Sequence, residues 1–553
     1  MTRDRASFCL RQGENQINPM GQESAATGDV KTGNGARTLD DAKARIPWNV
    51  FCNWASYGVN LVIGLLIGPL VVHRLGNVAY GVWALVGDLI GYSFLLEFGV
   101  RFAVTRYVAR HHALESPRDI NQVLTTGFAF TSVSAALVLG AGGVTAYLLP
   151  RLFSIPAGLV LDSRLSLILV SVGIAVSFPG SLFHGCITAL SRYDLSTIRN
   201  TVPNLLRAFS LWYFLTHGYG LLTVAIISTL QTCLAYGLDF VMARQLLPGI
   251  TIRRKYFDRS TLHSLVTYSV YAFVMSVSWR LIYMTDNVVV GFVLGPAAVT
   301  FYAVGGQLIG LLRDSLVNIT ALYAPLASQM DALKKEDSLR KLFLAGSRIG
   351  FLYILAGVSA LTIVGPRFLG LWMGEPFEPR SGPILILLAL EAGCHALALC
   401  CGQVLYGMNR HKVGAWLSLC NGAANLALST VMIRWWGAVG VAWGTLIPAV
   451  IVEAIVLPAF TASILGVSPG RFYKSVVLRS LLAAAPYAGW LWLLSHRLGL
   501  VKGWTSLTLA VGSGLALYAL LVWKVGLDGA ERDLAKSSLS RLKRRILVSQ
   551  EGL

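Results

Sequence analysis

Three arginines lie inside long apolar stretches of the sequence, where charged residues are rare: Arg207, Arg280 and Arg313. The guanidinium group stays protonated in proteins, and its planar array of donors matches the oxygens of a phosphate. A charge that faces lipid costs at least about 2.5 kcal/mol, so these side chains should face water or a polar partner. We predict that they line the path of an anionic substrate. Internal ion pairs are the alternative, and the acidic residues available for them are Asp88, Asp286 and Asp314.

Polar side chains at helical spacing accompany the arginines. One face of a single predicted helix carries residues at intervals of four, three and four: Ser276, Arg280, Tyr283 and Asn287. Three other apolar stretches carry shorter stripes of the same kind: Asn53, Tyr57 and Asn60; Asn200, Asn204 and Arg207; and Asn421 and Asn425. Asp88 and Gln307 occupy corresponding places in the two halves of the chain. The stripes predict one polar cavity shared by several helices, with hydrogen bonds between packed helices as the alternative.

A second set of residues could bind or relay a proton or another ion. Glu391 and His395 are four residues apart on a predicted helix, so their side chains can touch. Histidine titrates near neutral pH, which suits this pair to proton transfer; a structural hydrogen bond is the alternative. Glu453 and Asp286 are further acidic candidates, and Glu453 has no evident partner in the sequence. The eight cysteines show no metal-ligand spacing, so we expect neither a metal nor a cofactor.

Composition identifies the environment of these residues. Of the 553 residues, 55% are hydrophobic and only 13% are charged, against about 25% charged in soluble domains. Apolar runs long enough to cross a bilayer recur from residue 48 to residue 526, which predicts an all-α integral membrane protein. The net charge of +19 is scattered over short loops, which fits membrane topology better than nucleic-acid binding. No GxxxxGK[ST], GxSxG or HExxH motif is present, so the sequence does not predict an enzyme.

About fourteen membrane-spanning helices are predicted. With the N-terminus inside, most of the 46 Lys and Arg residues fall on the cytoplasmic side, and the even number of spans places both termini there. The predicted spans are 48–72, 79–99, 122–149, 161–186, 196–216, 220–242, 265–293, 298–325, 349–365, 382–405, 413–433, 438–464, 480–496 and 504–526.

The two halves of the membrane region resemble each other. Residues 66–91 align with residues 285–310 at a constant offset of 219, and nine of the 26 positions are identical. The alignment predicts two six-helix bundles related by an internal repeat, followed by two additional helices. The predicted division of the chain is a disordered cytoplasmic tail at 1–45, bundles at 46–264 and 265–466, two helices at 467–527 and a basic cytoplasmic tail at 528–553.

Four motifs follow one another along the membrane region. The first is "HRLGNVAYGVWALVGDLIGYSFLLEFGVRFAVTRYVARH" at 73–111, an LG-x-x-x-YG turn followed by a span and a basic amphipathic segment. The others are "LGPAAVTFYAVGGQL" at 294–308, "GMNRHKVGAWLSLCNGAANLALS" at 407–429 and "WWGAVGVAWGTLI" at 435–447. Together these motifs extend over almost the whole membrane region, and they resemble the polysaccharide-export branch of the multidrug/oligosaccharidyl-lipid/polysaccharide (MOP) flippase superfamily.

This resemblance implies a flippase of the bacterial inner membrane. Its expected substrate is an undecaprenyl-diphosphate-linked oligosaccharide, moved to the periplasmic leaflet for O-antigen, capsule or exopolysaccharide assembly. The expected partners are membrane lipids, with a polysaccharide polymerase and a chain-length regulator as further candidates. The alternatives are an ion-coupled multidrug exporter or a lipid II flippase of the same superfamily, and a membrane glycosyltransferase or polymerase. The three intramembrane arginines argue against a cation exporter, and the short external loops argue against an enzyme.

Overall fold

Helices form every regular element that the structure describes. The computed structural model describes residues 32–320, 322–529, 531–533 and 536–537. Apolar runs fold as helices because a helix pairs its backbone groups within one segment, and hydrocarbon offers them no other partner. The α-helices are α1 (Thr32–Gly91), α2 (Val100–Ala113), α3 (Pro117–Leu152), α4 (Val160–Ala189), α5 (Tyr193–Thr216), α6 (Leu221–Leu246), α7 (Arg259–Tyr283), α8 (Thr285–Leu294), α9 (Pro296–Thr320), α10 (Tyr323–Ala332), α11 (Glu336–Ile363), α12 (Gly365–Met373), α13 (Phe377–Gly407), α14 (His411–Ala449), α15 (Leu457–Ile464), α16 (Pro469–Phe472), α17 (Arg479–Trp492) and α18 (Trp504–Leu521).

The predicted tails are only partly covered by the structure. Residues 1–31 and 538–553 lie outside the described residues, whereas α1 already begins at Thr32, inside the segment predicted as a tail. The chain divides into two units, Met1–Pro47 and Trp48–Leu553. Every candidate site residue lies in the second unit.

Ten stretches of the described chain are long and apolar enough to cross a membrane. Two of them, Trp54–Glu97 and His411–Ile464, are long enough to cross twice, and each contains one glycine with a positive φ. These are Gly76 at 77° and Gly437 at 57°, values that residues with a side chain adopt only under strain. The prediction of an all-helical, multi-pass membrane protein is confirmed. The count of fourteen spans stays a prediction.

The helix that carries the longest polar stripe is interrupted. The predicted span at 265–293 contains α7 and α8, which are separated at Met284. The backbone N–H of Met284 and the hydroxyl of Thr285 both donate to the carbonyl of Arg280, at 3.0 and 3.2 Å. The stripe predicted from Ser276 to Asn287 therefore crosses this junction between its third and fourth members.

Two groups of helices share one apolar core. In the N-half, defined as residues 48–246, α3, α4 and α6 pack side by side, and α2 and α5 contact them. In the C-half, defined as residues 259–464, α13 packs against α9, α10, α11, α12 and α14. Val82 and Leu85 of the N-half and Val290 and Val299 of the C-half belong to one buried cluster. The halves are thus joined by close packing of α1 against α8 and α9.

Residues with positive φ recur along the chain at the spacing of the sequence alignment. Gly76 and Gly295, Glu115 and Lys334, and Gly218 and Gly437 are three pairs in which the second residue follows the first by 219 positions. Residues other than glycine seldom adopt the left-handed region. The match between Glu115 and Lys334 is therefore less expected by chance than a match between two glycines.

An ionic cluster joins the segment after α18 to α11 of the C-half. Arg348 of α11 is 3% exposed and forms an ion pair with Glu531 at 3.2 Å. It also pairs with Asp528, as does Arg479 of α17. Burial alone would raise the pKa of Asp528, but hydrogen bonds and charge from the two arginines outweigh it and lower the pKa below its usual value. This cluster therefore attaches the end of the described chain to α11 and α17.

Candidate functional site

Arg280 forms no ion pair with the described residues. Its guanidinium lies over the ring of Phe94 at 5.3 Å, and its Nη1 lies 3.1 Å from the Met284 sulfur. Its buried Nε has no hydrogen-bond partner in the described part of the chain. Phe94 belongs to a 3₁₀ segment of the N-half, Tyr92–Glu97, so Arg280 lies at the junction of the two halves.

Arg207 is similarly free of an ion pair within the described ranges. Its Nη1 makes a long contact of 3.4 Å with the Asn204 side-chain oxygen, and its buried Nε has no partner. The residue lines a cavity of about 370 Å³ between α5 and α6, together with mostly apolar side chains such as Phe214 and Leu230. The structure thus places Arg207 in the N-half, at a cavity wall.

Arg313 is placed differently from the other two arginines. It is 8% exposed, and its Nη2 lies 3.2 Å from Oε2 of Glu391, a residue that is fully buried. Its guanidinium also lies over the ring of Tyr283, 3.9 Å from the centroid. The sequence offered three aspartates as ion-pair partners, but the partner of Arg313 is a glutamate on α13. Arg313 therefore belongs to an internal ion pair, and its place in a substrate path stays a prediction.

A buried polar network surrounds this ion pair. The Tyr283 hydroxyl donates to Glu391 Oε1 at 3.0 Å and lies 3.2 Å from His395 Nδ1. His395 Nδ1 lies 3.3 Å from Glu453 Oε2, and Asn421 donates to Glu453 Oε1 at 2.9 Å. No partner of Glu453 is evident in the sequence, because its two partners come from other helices and cannot be recognised by spacing.

The geometry of this network suits a small cation. Glu391, His395 and Glu453 each offer one ligand atom, and the three atoms lie within 4.8 Å of one another. The guanidinium of Arg313 beside Glu391 adds a positive charge, which disfavours a divalent ion at this place. A proton on His395 would balance the two carboxylates and the arginine. The predicted contact of Glu391 with His395 is mediated by the Tyr283 hydroxyl that touches both.

Asp286 occupies a separate buried site. Its Oδ2 accepts hydrogen bonds from the hydroxyls of Tyr302 at 2.5 Å and Thr445 at 2.8 Å. Asp286, which the sequence offered as a possible ion-pair partner, does not pair with Arg280. The sequence did not point to Tyr302 or Thr445 as functional residues. A polar residue inside an apolar run was the available signal, but Thr is common in such runs.

Most of the remaining candidates lie between the two halves. Asn287 donates to the Asp88 carboxylate at 2.7 Å. The Tyr57 hydroxyl donates to the Leu311 carbonyl at 2.7 Å. Asn60, by contrast, bonds within the N-half to the Asn204 side chain.

Two further candidates complete the set. The side-chain oxygen of Gln307 is buried without a partner among the described residues. Asn53 lies outside the residues whose side chains the structure describes. Of the predicted cavity residues, the structure brings Arg280, Asp88 and Asn287 to the junction of the halves, whereas Arg313 and Tyr283 join the network in the C-half.

The family is decided by the match of the sequence to a known profile. The profile described as "Polysaccharide biosynthesis protein" matches residues 48–331, just over half of the chain. The chain belongs to the polysaccharide biosynthesis protein family. The match begins in α1 and ends in α10, so it includes Asp88, Arg207, Arg280 and Arg313. The family resemblance of the sequence motifs is thereby confirmed.

Two curated proteins are similar to this chain over most of their length. The "Uncharacterized membrane protein EpsK" of Bacillus subtilis (strain 168) is 23% identical over 504 residues, which covers 90% of this chain and 98% of that protein. The "Putative O-antigen transporter" of Shigella flexneri is 21% identical over 425 residues, which covers 74% of this chain and 95% of that protein.

Solved structures share the fold of this family member. The lipid II flippase MurJ in an inward closed conformation superimposes with a TM-score of 0.67 at 12% identity, over 86% of this chain and 97% of that one. An inward-facing multidrug resistance transporter of the MATE family gives 0.65 at 14% identity, over 74% and 95%. An outward-facing multidrug resistance transporter of the MATE family gives 0.59 at 13% identity, over 80% and 100%. The chain therefore has the fold of the MOP superfamily.

Proposed function

We propose that this protein is a flippase that moves an undecaprenyl-diphosphate-linked oligosaccharide from the cytoplasmic to the periplasmic leaflet, for O-antigen, capsule or exopolysaccharide assembly. The observation that carries the proposal is Arg280, an intramembrane guanidinium at the junction of the halves that forms no ion pair in the described chain. An unpaired charge in such a place is costly unless a ligand of opposite charge visits it. A diphosphate supplies that charge, and Arg207 is a second unpaired guanidinium available to it.

The chemistry of the substrate explains why a protein is needed. Sugars and a diphosphate cannot cross hydrocarbon unaided, because their polar groups would lose their hydrogen bonds to water. A polar junction between two helical halves can accept the head group while the prenyl chain stays in lipid. The Shigella flexneri relative is described as a "Putative O-antigen transporter" and MurJ as a lipid II flippase, and both descriptions agree with a lipid-linked saccharide.

Alternating access of two repeated halves is part of the proposal. The positive-φ pairs at an offset of 219 support an internal repeat, and an even number of spans in each half gives both halves the same orientation. Both termini then lie in the cytoplasm, where a basic tail follows α18. The protein performs no covalent chemistry. A polymerase and a chain-length regulator would receive the exported saccharide.

A proton bound at the network of Glu391, His395 and Glu453 is the proposed coupling step. With His395 protonated, two carboxylates face two cations, His395 and Arg313, and the buried network is neutral. Loss of the proton leaves one uncompensated negative charge in a low-dielectric site, which is unfavourable. The protonation state can thus bias the packing of α13 against α7 and α14, and Asp286 is a second candidate for the ion.

The first test replaces Arg280. Arg280→Ala should abolish surface display of the polysaccharide while the protein is inserted at its normal level, because the substrate diphosphate loses its cationic partner. Arg151→Ala removes an exposed arginine that contacts Tyr147 and serves as the control. Full display in Arg280→Ala would remove this residue from the substrate path.

A deletion strain tests the substrate itself. Radiolabelled lipid-linked oligosaccharides should accumulate in spheroplasts and stay protected from an added glycosidase when the protein is absent. Normal outward exposure with unchanged polymer would reject the proposal, and drug-efflux assays would then examine the multidrug alternative.

The coupling step has a separate test. In vesicles with an imposed pH gradient, His395→Gln should make transport insensitive to the gradient, because glutamine can form hydrogen bonds but cannot take up a proton at these pH values. An unchanged response to the gradient would exclude His395 as the proton site.

A further inference from the structure

Helix α12 ends against α1 at a point where α1 lacks one of its own hydrogen bonds. Pro69 has no N–H, so it cannot pair with the carbonyl of Leu65 four residues earlier. In a membrane span an unpaired carbonyl is costly, because hydrocarbon gives it no partner. The indole Nε1–H of Trp372 donates to this carbonyl at 2.7 Å. A side chain of the C-half thus supplies the hydrogen bond that a proline has removed from the N-half.

The contact is close-packed and has a second polar bond beside it. Trp372 is 8% exposed. A Cβ at Gly68 would lie 3.3 Å from Cζ2 of Trp372, so a glycine allows the indole to approach α1. His73 Nε2 lies 2.9 Å from the carbonyl of Met373, the last residue of α12. Gly374, with a φ of 103°, ends the helix directly after this carbonyl.

Helix α12 is also held from its other side by the last helices. The ring of Phe368 meets the ring of Trp504, the first residue of α18, edge to face at 5.6 Å. Arg367 donates to the carbonyl of Lys502 at 2.7 Å and pairs with Glu378 at 3.1 Å. The loop before α18 and the first residue of α18 therefore contact α12, the helix that carries the indole.

We propose that Trp372 is a latch of the substrate exit, and that its hydrogen bond to the Leu65 carbonyl holds the two halves together at this end of the molecule. The inference rests on the proposed alternating access, in which this end faces outward by the predicted topology. Opening the exit separates α12 from α1 and leaves both the indole and the carbonyl without their partner. The bond exists only in the closed state and so shifts the population toward it.

The size of the effect follows from one neutral hydrogen bond. Such a bond corresponds to roughly a fivefold change in the ratio of two states. Trp372→Phe keeps an aromatic ring but removes the donor, so it should raise the open-to-closed ratio by about fivefold. Pro69→Ala restores a backbone N–H that can pair with Leu65 inside α1. In that background the carbonyl no longer depends on the indole, and Trp372→Phe should change the ratio by less than about twofold.

Distance measurements on the purified protein test the latch directly. Spin labels are attached through unnatural amino acids at two exposed positions, Arg74, which precedes the kink of α1 at Gly76, and Glu375, which follows the end of α12. Distance distributions in lipid nanodiscs are recorded for the wild type, for Pro69→Ala, for Trp372→Phe and for the double variant that carries both substitutions. Trp435→Phe, which changes a tryptophan that is 70% exposed, is the matched control.

Two results would overturn the latch. The first is an unchanged distance distribution in Trp372→Phe, and the second is an equal shift in the presence and in the absence of Pro69. The measurement needs no substrate, so its outcome is independent of the glycan assays. A latch that behaves as expected in a protein that exports no glycan would contradict the proposed substrate alone.

Discussion

Replacement of Arg313 should lower the stability of the protein, because this arginine neutralises a buried carboxylate. Replacement of Arg280, which has no such partner in the described chain, should affect transport instead. Arg313 Nη2 and Glu391 Oε2 are 3.2 Å apart, and the two side chains are 10% and 0% exposed. At that distance two unit charges attract by about 5 kcal/mol at an effective dielectric constant of about 20. Arg313→Ala leaves the carboxylate buried without a countercharge, which typically costs roughly 3–5 kcal/mol.

The expected result is a less stable protein rather than only an inactive one. If the whole chain unfolds together, a loss of this size lowers the melting temperature by roughly 3 °C, given an unfolding entropy of about 2 cal/mol/K per residue. The assay follows the fraction of purified protein that remains monodisperse in detergent as temperature rises. Arg313→Ala combined with Glu391→Gln should recover most of the loss, because the uncompensated charge is gone.

Two comparisons make this prediction refutable. Asp314→Ala changes an exposed neighbour on the same helix and should shift the free energy of unfolding by less than about 0.5 kcal/mol. Arg280→Ala removes an arginine without an ion pair and should melt like the wild type while losing transport. An Arg313→Ala protein as stable as the wild type would refute a stabilising role for the Arg313–Glu391 ion pair.

Two further substitutions probe the packing of the halves and of the last helices. Gly81→Ala would place a Cβ 1.8 Å from the Pro296 carbonyl oxygen, so it should push the halves apart and abolish transport; Gly87→Ala, with nothing within 4 Å, should be neutral in the same glycan display assay. Arg348→Ala should free the segment at Asp528, which trypsin would then cleave faster in inside-out vesicles; unchanged digestion would contradict the ionic attachment.

The fold class could be predicted because its physical cause is local. Apolar runs near the length of a bilayer crossing must be helical in lipid, whatever they pack against, and the charge of each loop is read directly from the sequence. The polar residues inside the runs could be found for the same reason. Arg280, Glu391 and His395 are unusual because their neighbours in the sequence are apolar, and that contrast does not depend on tertiary contacts.

The partners of these residues could not be predicted, because they come from distant parts of the chain. Glu453 appeared isolated in sequence, yet Asn421 and His395 reach it from two other helices. Pro69 and Trp372 lie about 300 positions apart, and neither one indicates the other. Spacing reports contacts within a helix, whereas contacts between helices depend on how the helices cross.

Sequence by itself thus determined that this chain is a helical membrane protein of the polysaccharide biosynthesis family, with charges that hydrocarbon cannot accommodate. Tertiary structure decided which of those charges are already neutralised. Arg313 and Arg280 are alike in residue type and in apolar surroundings, but only Arg313 meets a buried carboxylate. The physical reason is that burial sets the requirement for a countercharge, and the packing of distant helices decides whether the protein or a ligand must supply it.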